Sequence, residues 1–307
     1  VHYAVYLPLI LSMVAAVAAR WPAARLEPRL ATWLLTATAV TLAACSVVAL
    51  TLLAATGIGR VPVLAHIGRW STQVLRQDDP ASVTVALGAG TLLAAALVAA
   101  TRLLLRRTRA ILDAARLARD LPTSHDVVVV DDHAPDAYAV PGLPGRIVVS
   151  SGMLGALDPR EQQALLAHER AHLTGHHHLF VGLADLAAAA NPLLRPVARA
   201  VHYTTERWAD EDAAAVVGDR RLVARTIGKA AIVTRHHARP AAALAVTGPA
   251  LRRAGPVPRR VAALLTPPPN QRRMLPTLAF GVLAVAAAGI LEATRDLHAL
   301  FELASLS

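Results

Sequence analysis

The stretch whose reading decides the fold is Leu165–Phe180, LLAHERAHLTGHHHLF. Within it His168, Glu169 and His172 form an H-E-x-x-H. On a helix, residues four apart project from one face one turn apart, so two imidazoles at this spacing can hold one zinc ion while the adjacent carboxylate reaches a water beside it. A helix here has a well-marked start. Asp158 can cap it, Pro159 suits its first position, and Glu161 stands at the capping-box spacing. From there REQQALLAHERAHL runs without Gly or Pro. Upstream, the β-branched pieces 126–130, 137–140 and 146–150 read as three short strands, with PGLPG at 141–145 turning between the last two.

H-E-x-x-H has only three fixed positions, so the third ligand carries much of the argument. His178 completes H-E-x-x-H-x-x-G-x-x-H, the metzincin pattern, with Gly175 in place. That pattern also needs a methionine turn below the metal, and none of Met13, Met153 and Met274 is suitably placed. Glu206, in TTERWADEDAA, has no such defect and is preferred; His178 stands as the alternative third ligand. Helical spacing puts Asp210 on the face of Glu206, where it can accept a hydrogen bond from a ligand imidazole. The expected chemistry is peptide-bond hydrolysis with one zinc per chain on His168, His172 and Glu206, and Glu169 as general base. An oxyanion donor is also required, and His202, Tyr203 and Arg207 are the candidates near Glu206 in sequence.

The rest of the chain places this site beside a membrane. Apolar residues make up 55% of the 307, aromatics only 4%, and mean hydropathy is +0.44, so Ala, Leu and Val dominate as they do in bilayer helices. Four apolar runs are expected to span: 1–19, 31–55, 82–101 and 275–291. The net charge of +10 is concentrated after the third run, at Arg102, Arg106, Arg107, Arg109, Arg116 and Arg119, and in six arginines within 252–273. By the positive-inside rule the N-terminus is outside and the region between the third and fourth runs is cytoplasmic. The same rule explains the basic balance, and no aromatic residues interleave with the arginines, so direct nucleic-acid binding is not expected. Cys45 lies alone in an apolar run and suits packing. The near-exclusive use of Arg over Lys suggests a bacterial source with a GC-rich genome.

These readings divide the chain into 1–104, with three transmembrane helices; 105–273, a cytoplasmic zinc domain; and 274–307, a fourth helix with a short outer tail. The fold class expected is a mainly α membrane protein whose soluble part is an α+β zincin-like domain with a small sheet. Residues 179–194 are apolar but lie between the two metal motifs. A single crossing there would strand Glu206 on the far side, and the chain from His172 to Glu206 is too short for two. The segment is expected to form a helix over the site, dipping into the bilayer, followed by a second helix returning to Glu206.

In the order AYAVPG, RIVVSSGMLGALDPREQQALLAHERAH, ERWADEDAA and PRRVAALL, the chain resembles the integral-membrane gluzincin peptidases, which include HtpX-type proteases and BlaR/MecR-type antirepressor peptidases. Three runs, a zinc domain and a fourth run are more similar to the second group. The resemblance implies a multi-pass enzyme of the cell membrane, in contact with lipid, that cuts a protein substrate such as a transcriptional repressor. No sensor domain follows the fourth run, so a penicillin-sensing role is not expected. Two other readings stand beside this one: an HtpX-like quality-control protease, and a metal-free membrane scaffold or receptor.

Overall fold

The computed structural model describes residues 6–59, 83–119, 126–142, 144–237 and 257–267, with Ala288 and Arg295. Apart from those two residues, the fourth apolar run and the 274–307 segment lie outside the described residues, as does loop 56–81 beyond Gly59. Helices α1 (Leu7–Ala18), α2 (Arg20–Arg25), α3 (Pro28–Gly59) and α4 (Val83–Arg119) cover the described parts of the first three runs. Three stretches, Leu7–Arg25, Pro28–Ala55 and Val83–Asp113, are long and apolar enough to cross a membrane, and they suggest membrane association. Their outer faces carry Val40 and Val48 on α3 and Leu92, Leu97 and Leu104 on α4, all exposed. Several hydroxyls within these helices are turned back onto the backbone. Thr32, Thr38, Ser46 and Thr51 each donate to the carbonyl four residues earlier. That satisfies a polar group where water is absent.

The three predicted strands are β1 (Val127–Val130), β2 (Ala137–Val140) and β3 (Arg146–Ser150). They form one mixed sheet in the order β1-β3-β2. The turn at 141–145 joins β2 and β3 as an antiparallel pair with Val140 opposite Arg146, while β1 runs parallel to β3 with Val127 opposite Ile147. Central β3 is the most buried, through Ile147, Val148 and Val149. It delivers the chain into α5 (Ser151–Ala156), where Ser150 Oγ accepts from the Met153 N–H at 3.1 Å. Helix α6 (Pro159–Thr174) then starts on both halves of the expected capping box. Asp158 Oδ1 accepts from the Arg160 and Glu161 N–H groups, each at 2.9 Å, and Glu161 Oε2 accepts from the Asp158 N–H at 3.0 Å.

The apolar segment after the motif is a helical hairpin: α7 (His177–Ala190), a 3-10 turn at Pro192–Leu194, and α8 (Arg195–Val217). Helices α9 (Arg220–His237) and α10 (Val257–Leu265) complete the described chain. One core is shared between the membrane-like helices and the hairpin, with Leu35, Ala39 and Leu42 of α3 against Phe180, Ala184 and Ala187 of α7 and Val197 and Val201 of α8. A second core joins Ala164 and Ala167 of α6 to Ala213 of α8, Leu222 and Val223 of α9, and Leu264 of α10. Alanine at so many contacts lets the helix backbones approach closely. The second core fixes α6 against α8, so the motif faces the helix that carries Glu206.

Candidate metal centre

His168 and His172 turn their Nε2 atoms toward each other, 3.2 Å apart. Glu206 comes across from α8 to both, its Oε2 lying 3.7 Å from His168 Nε2 and its Oε1 3.6 Å from His172 Nε2. Each of the three offers one atom to a cluster within 4.8 Å. Two nitrogens, each about 2.0–2.1 Å from a tetrahedral zinc, lie roughly 3.3 Å apart. The donor set therefore fits zinc in both spacing and chemistry. His178 has no place in this cluster; its ring stands 6.2 Å from that of His176.

Each imidazole is held from behind, by different means. His168 Nδ1 sits 3.0 Å from Asp210 Oδ1. Burial disfavours its charged form, but Asp210 outweighs burial and raises its pKa above the ordinary imidazole value. His172 Nδ1 lies 2.9 Å from Nδ1 of His177. Burial, reinforced by His168, holds the His172 pKa well below the usual range. Burial and then His172 bring His177 down to about 3. With its Nε2 turned toward a metal, His172 would donate its Nδ1–H to His177 Nδ1.

His177 was not singled out in the sequence. Three consecutive histidines look equivalent on paper, and backbone geometry chooses among them. His176 adopts a left-handed conformation, φ 50°, which separates α6 from α7 and turns His177 inward against Trp208, with ring centroids 4.6 Å apart. Gly175 is required beside it, because a Cβ there would stand 2.5 Å from His177 Nε2.

Arg260 was also missed. From α10 its Nε and Nη2 grip Asp210 at 2.8 and 2.6 Å, and its Nη1 lies 2.7 Å from Glu206 Oε2. Burial raises the Asp210 pKa, but Arg260 overrides it and holds the carboxylate below its ordinary range. Among six arginines in 252–273, Arg260 could have been recognised by its spacing to Leu264, since i and i+4 share the apolar face of a short helix. Glu169 is buried beside the cluster. Burial pushes its pKa up to about 7, opposed by His168 and reinforced by Glu206.

The three suggested oxyanion donors have the following neighbours. His202 Nε2 lies 2.9 Å from Asp185, which also accepts from Arg107. Tyr203 is covered by the Arg259 guanidinium, 4.7 Å from its ring centre. Arg207 Nη1 donates to the Ala23 carbonyl at 3.5 Å and lies 4.0 Å from Glu211 through Nη2.

Residues 102–184 match the model of peptidase family M48. The matched stretch runs from α4 through the sheet and all of α6 into α7, so it contains His168, Glu169 and His172 and ends before Glu206. No curated protein and no solved structure matches the chain. The match supports the M48 zinc metallopeptidase family and, with the apolar helices, a membrane metallopeptidase acting on protein.

Proposed function

We propose that this chain is a membrane-embedded zinc metalloendopeptidase of the gluzincin type, with its catalytic domain on the cytoplasmic side. The observation that carries the reading is the convergence of Glu206 on His168 and His172 from a separate helix, inside a cluster that also buries Glu169. His168, His172 and Glu206 would hold the metal. Zinc bound there supplies Lewis acidity toward a scissile carbonyl and brings the pKa of a bound water toward neutrality. Glu169 takes a proton from the attacking water and returns it to the leaving amine, so the C–N bond breaks as an acid and an amine are released. Asp210 and His177 hold the two imidazoles in the tautomer that leaves each Nε2 lone pair free. Arg260 anchors one oxygen of Glu206 and leaves the other free to ligate.

We assign the enzyme a regulatory role, cutting a repressor-like protein as BlaR/MecR-type peptidases do; three apolar helices ahead of the metal cluster support this. The test compares wild type with Glu169→Gln. The variant should retain about one zinc per chain and lose proteolysis by about 10²-fold or more. A wild-type protein without metal would refute the assignment. In cells carrying Glu169→Gln, one uncleaved transcription factor should accumulate; accumulation of many damaged membrane proteins would favour quality control instead.

A further inference from the structure

We propose that the α7–α8 hairpin is a wall inside the bilayer, with lipid chains on its α7 side and a water-filled cleft along α8 that leads to the catalytic cluster. This rests on α1, α3 and α4 crossing a membrane. Two polar contacts fix how far the hairpin penetrates. Near the start of α3, the Thr32 and Thr204 hydroxyl oxygens lie 2.9 Å apart, and Arg29 lies 5.4 Å from the Trp208 ring centre. At the tip, Asn191 Nδ2 donates to Ser46 of α3 at 2.9 Å and to Ser12 of α1 at 3.0 Å. At 1.5 Å per residue these contacts are separated by about 21 Å of α3, and on the hairpin by about 14 Å of α8 plus the 3-10 turn, so the two run alongside over much of a hydrocarbon core roughly 30 Å thick.

The tip is built for that depth. Asn191 N–H donates to the Ala187 carbonyl at 2.8 Å, and Leu194 N–H donates to the Asn191 carbonyl at 2.9 Å. Asn191 Oδ1 accepts from Leu193 N–H at 3.1 Å, while Pro192 has no N–H to satisfy. A turn in hydrocarbon requires this internal pairing. On α7 the exposed large residues are Leu179 and Leu183, continuing the outward apolar faces of α3 and α4. The charge on this helix, Asp185, is turned onto Arg107 and His202.

Helix α8 is different. Arg195 and Arg199 are exposed, and with the partly exposed His202 and Glu206 they form a stripe at helical spacing that ends at the metal cluster. Arginines at this depth face water or a partner, not acyl chains. The tip arginine can stretch toward the far headgroups, whereas Arg199 lies a further turn from them. On the proposed function, a cleft in this position gives a segment of the substrate polypeptide a hydrated path along α8 to the metal cluster.

The test is nitroxide scanning of the full chain in phosphatidylcholine–phosphatidylglycerol vesicles, in a Cys45→Ala background. Single cysteines are placed at Leu183 and Arg199, with Val48 of α3 as the lipid control and Gln163 of α6 as the water control. Labels at 48 and 183 should collide with oxygen in preference to a nickel chelate, and labels at 163 and 199 should show the reverse. Leu179→Cys and Arg195→Cys repeat the measurement one turn away if either variant fails to assemble. A water-like 183 beside a lipid-like 48, or a lipid-like 199, overturns the wall. A water-like 48 overturns it as well, by removing the membrane reading beneath it. Because no label reports on the metal, a failed wall leaves the peptidase assignment to its own zinc measurement.

Discussion

The two ends of the α7–α8 hairpin bury polar groups in opposite ways. At the catalytic end the solution is ionic: Glu206 and Asp210 share the Arg260 guanidinium, and Asp210 in turn supports His168. At the tip it is neutral: one amide and two hydroxyls satisfy each other, with no formal charge. Charge can be buried where a counter-charge of fixed geometry is supplied, and the catalytic end needs it because carboxylates must remain ionised to bind a metal. The tip has only to hold helices in register, which hydrogen bonds do without a large desolvation cost.

Breaking the ionic end should have the largest effect. Arg260→Met leaves the buried Asp210 carboxylate facing the partly exposed Glu206 carboxylate and should cost about 3–5 kcal/mol in chemical denaturation of the metal-free protein. A loss below about 1 kcal/mol would mean that the end is hydrated and the contrast false. His177→Ala removes the support behind His172 together with the ring contact to Trp208, and should weaken zinc binding by about 10–100-fold in chelator competition, with the helices intact by circular dichroism. Asn191→Leu tests the neutral end and should cost about 1 kcal/mol in detergent or lipid. A cost equal to that of Arg260→Met would erase the comparison.

The smallest effect concerns the start of α6, away from both ends. Glu161 is held below the ordinary carboxylate range by Lys229, with Nζ 2.6 Å from Oε2 and burial opposing. Because its pKa is lowered on folding, its contribution is present above the usual glutamate pKa and is lost as pH falls through the lowered value. Glu161→Gln should therefore lower the melting temperature by a few degrees at pH 7, and the difference should shrink on acidification.

What could be read in advance was mostly local. The capping box, the i, i+4 histidines and the Glu206–Asp210 spacing are each contained within one helix, where backbone periodicity fixes relative direction. The strands were visible from β-branched runs, but the parallel pairing of β1 with β3 was not, since it depends on a register set across an intervening strand. His177 was hidden by a single left-handed residue that resets helical phase. Arg260 was hidden by distance and by its resemblance to five neighbours. The oxyanion candidates were selected by proximity along the chain, which does not reveal their neighbours: Asp185 beside His202, Arg259 over the Tyr203 ring and the Ala23 carbonyl beside Arg207.

The core shared by α3, α7 and α8 bears on how the enzyme can be handled. Phe180 packs edge-on against Trp33, ring centres 4.7 Å apart, and Leu35, Ala39 and Leu42 close the same seam. A soluble fragment cut at residue 105 would lose that side of the seam and lay bare the apolar flank of the helix bearing Glu206. Such a fragment should aggregate, and an inhibitor screen or crystallisation effort is better served by a chain that keeps the first hundred residues.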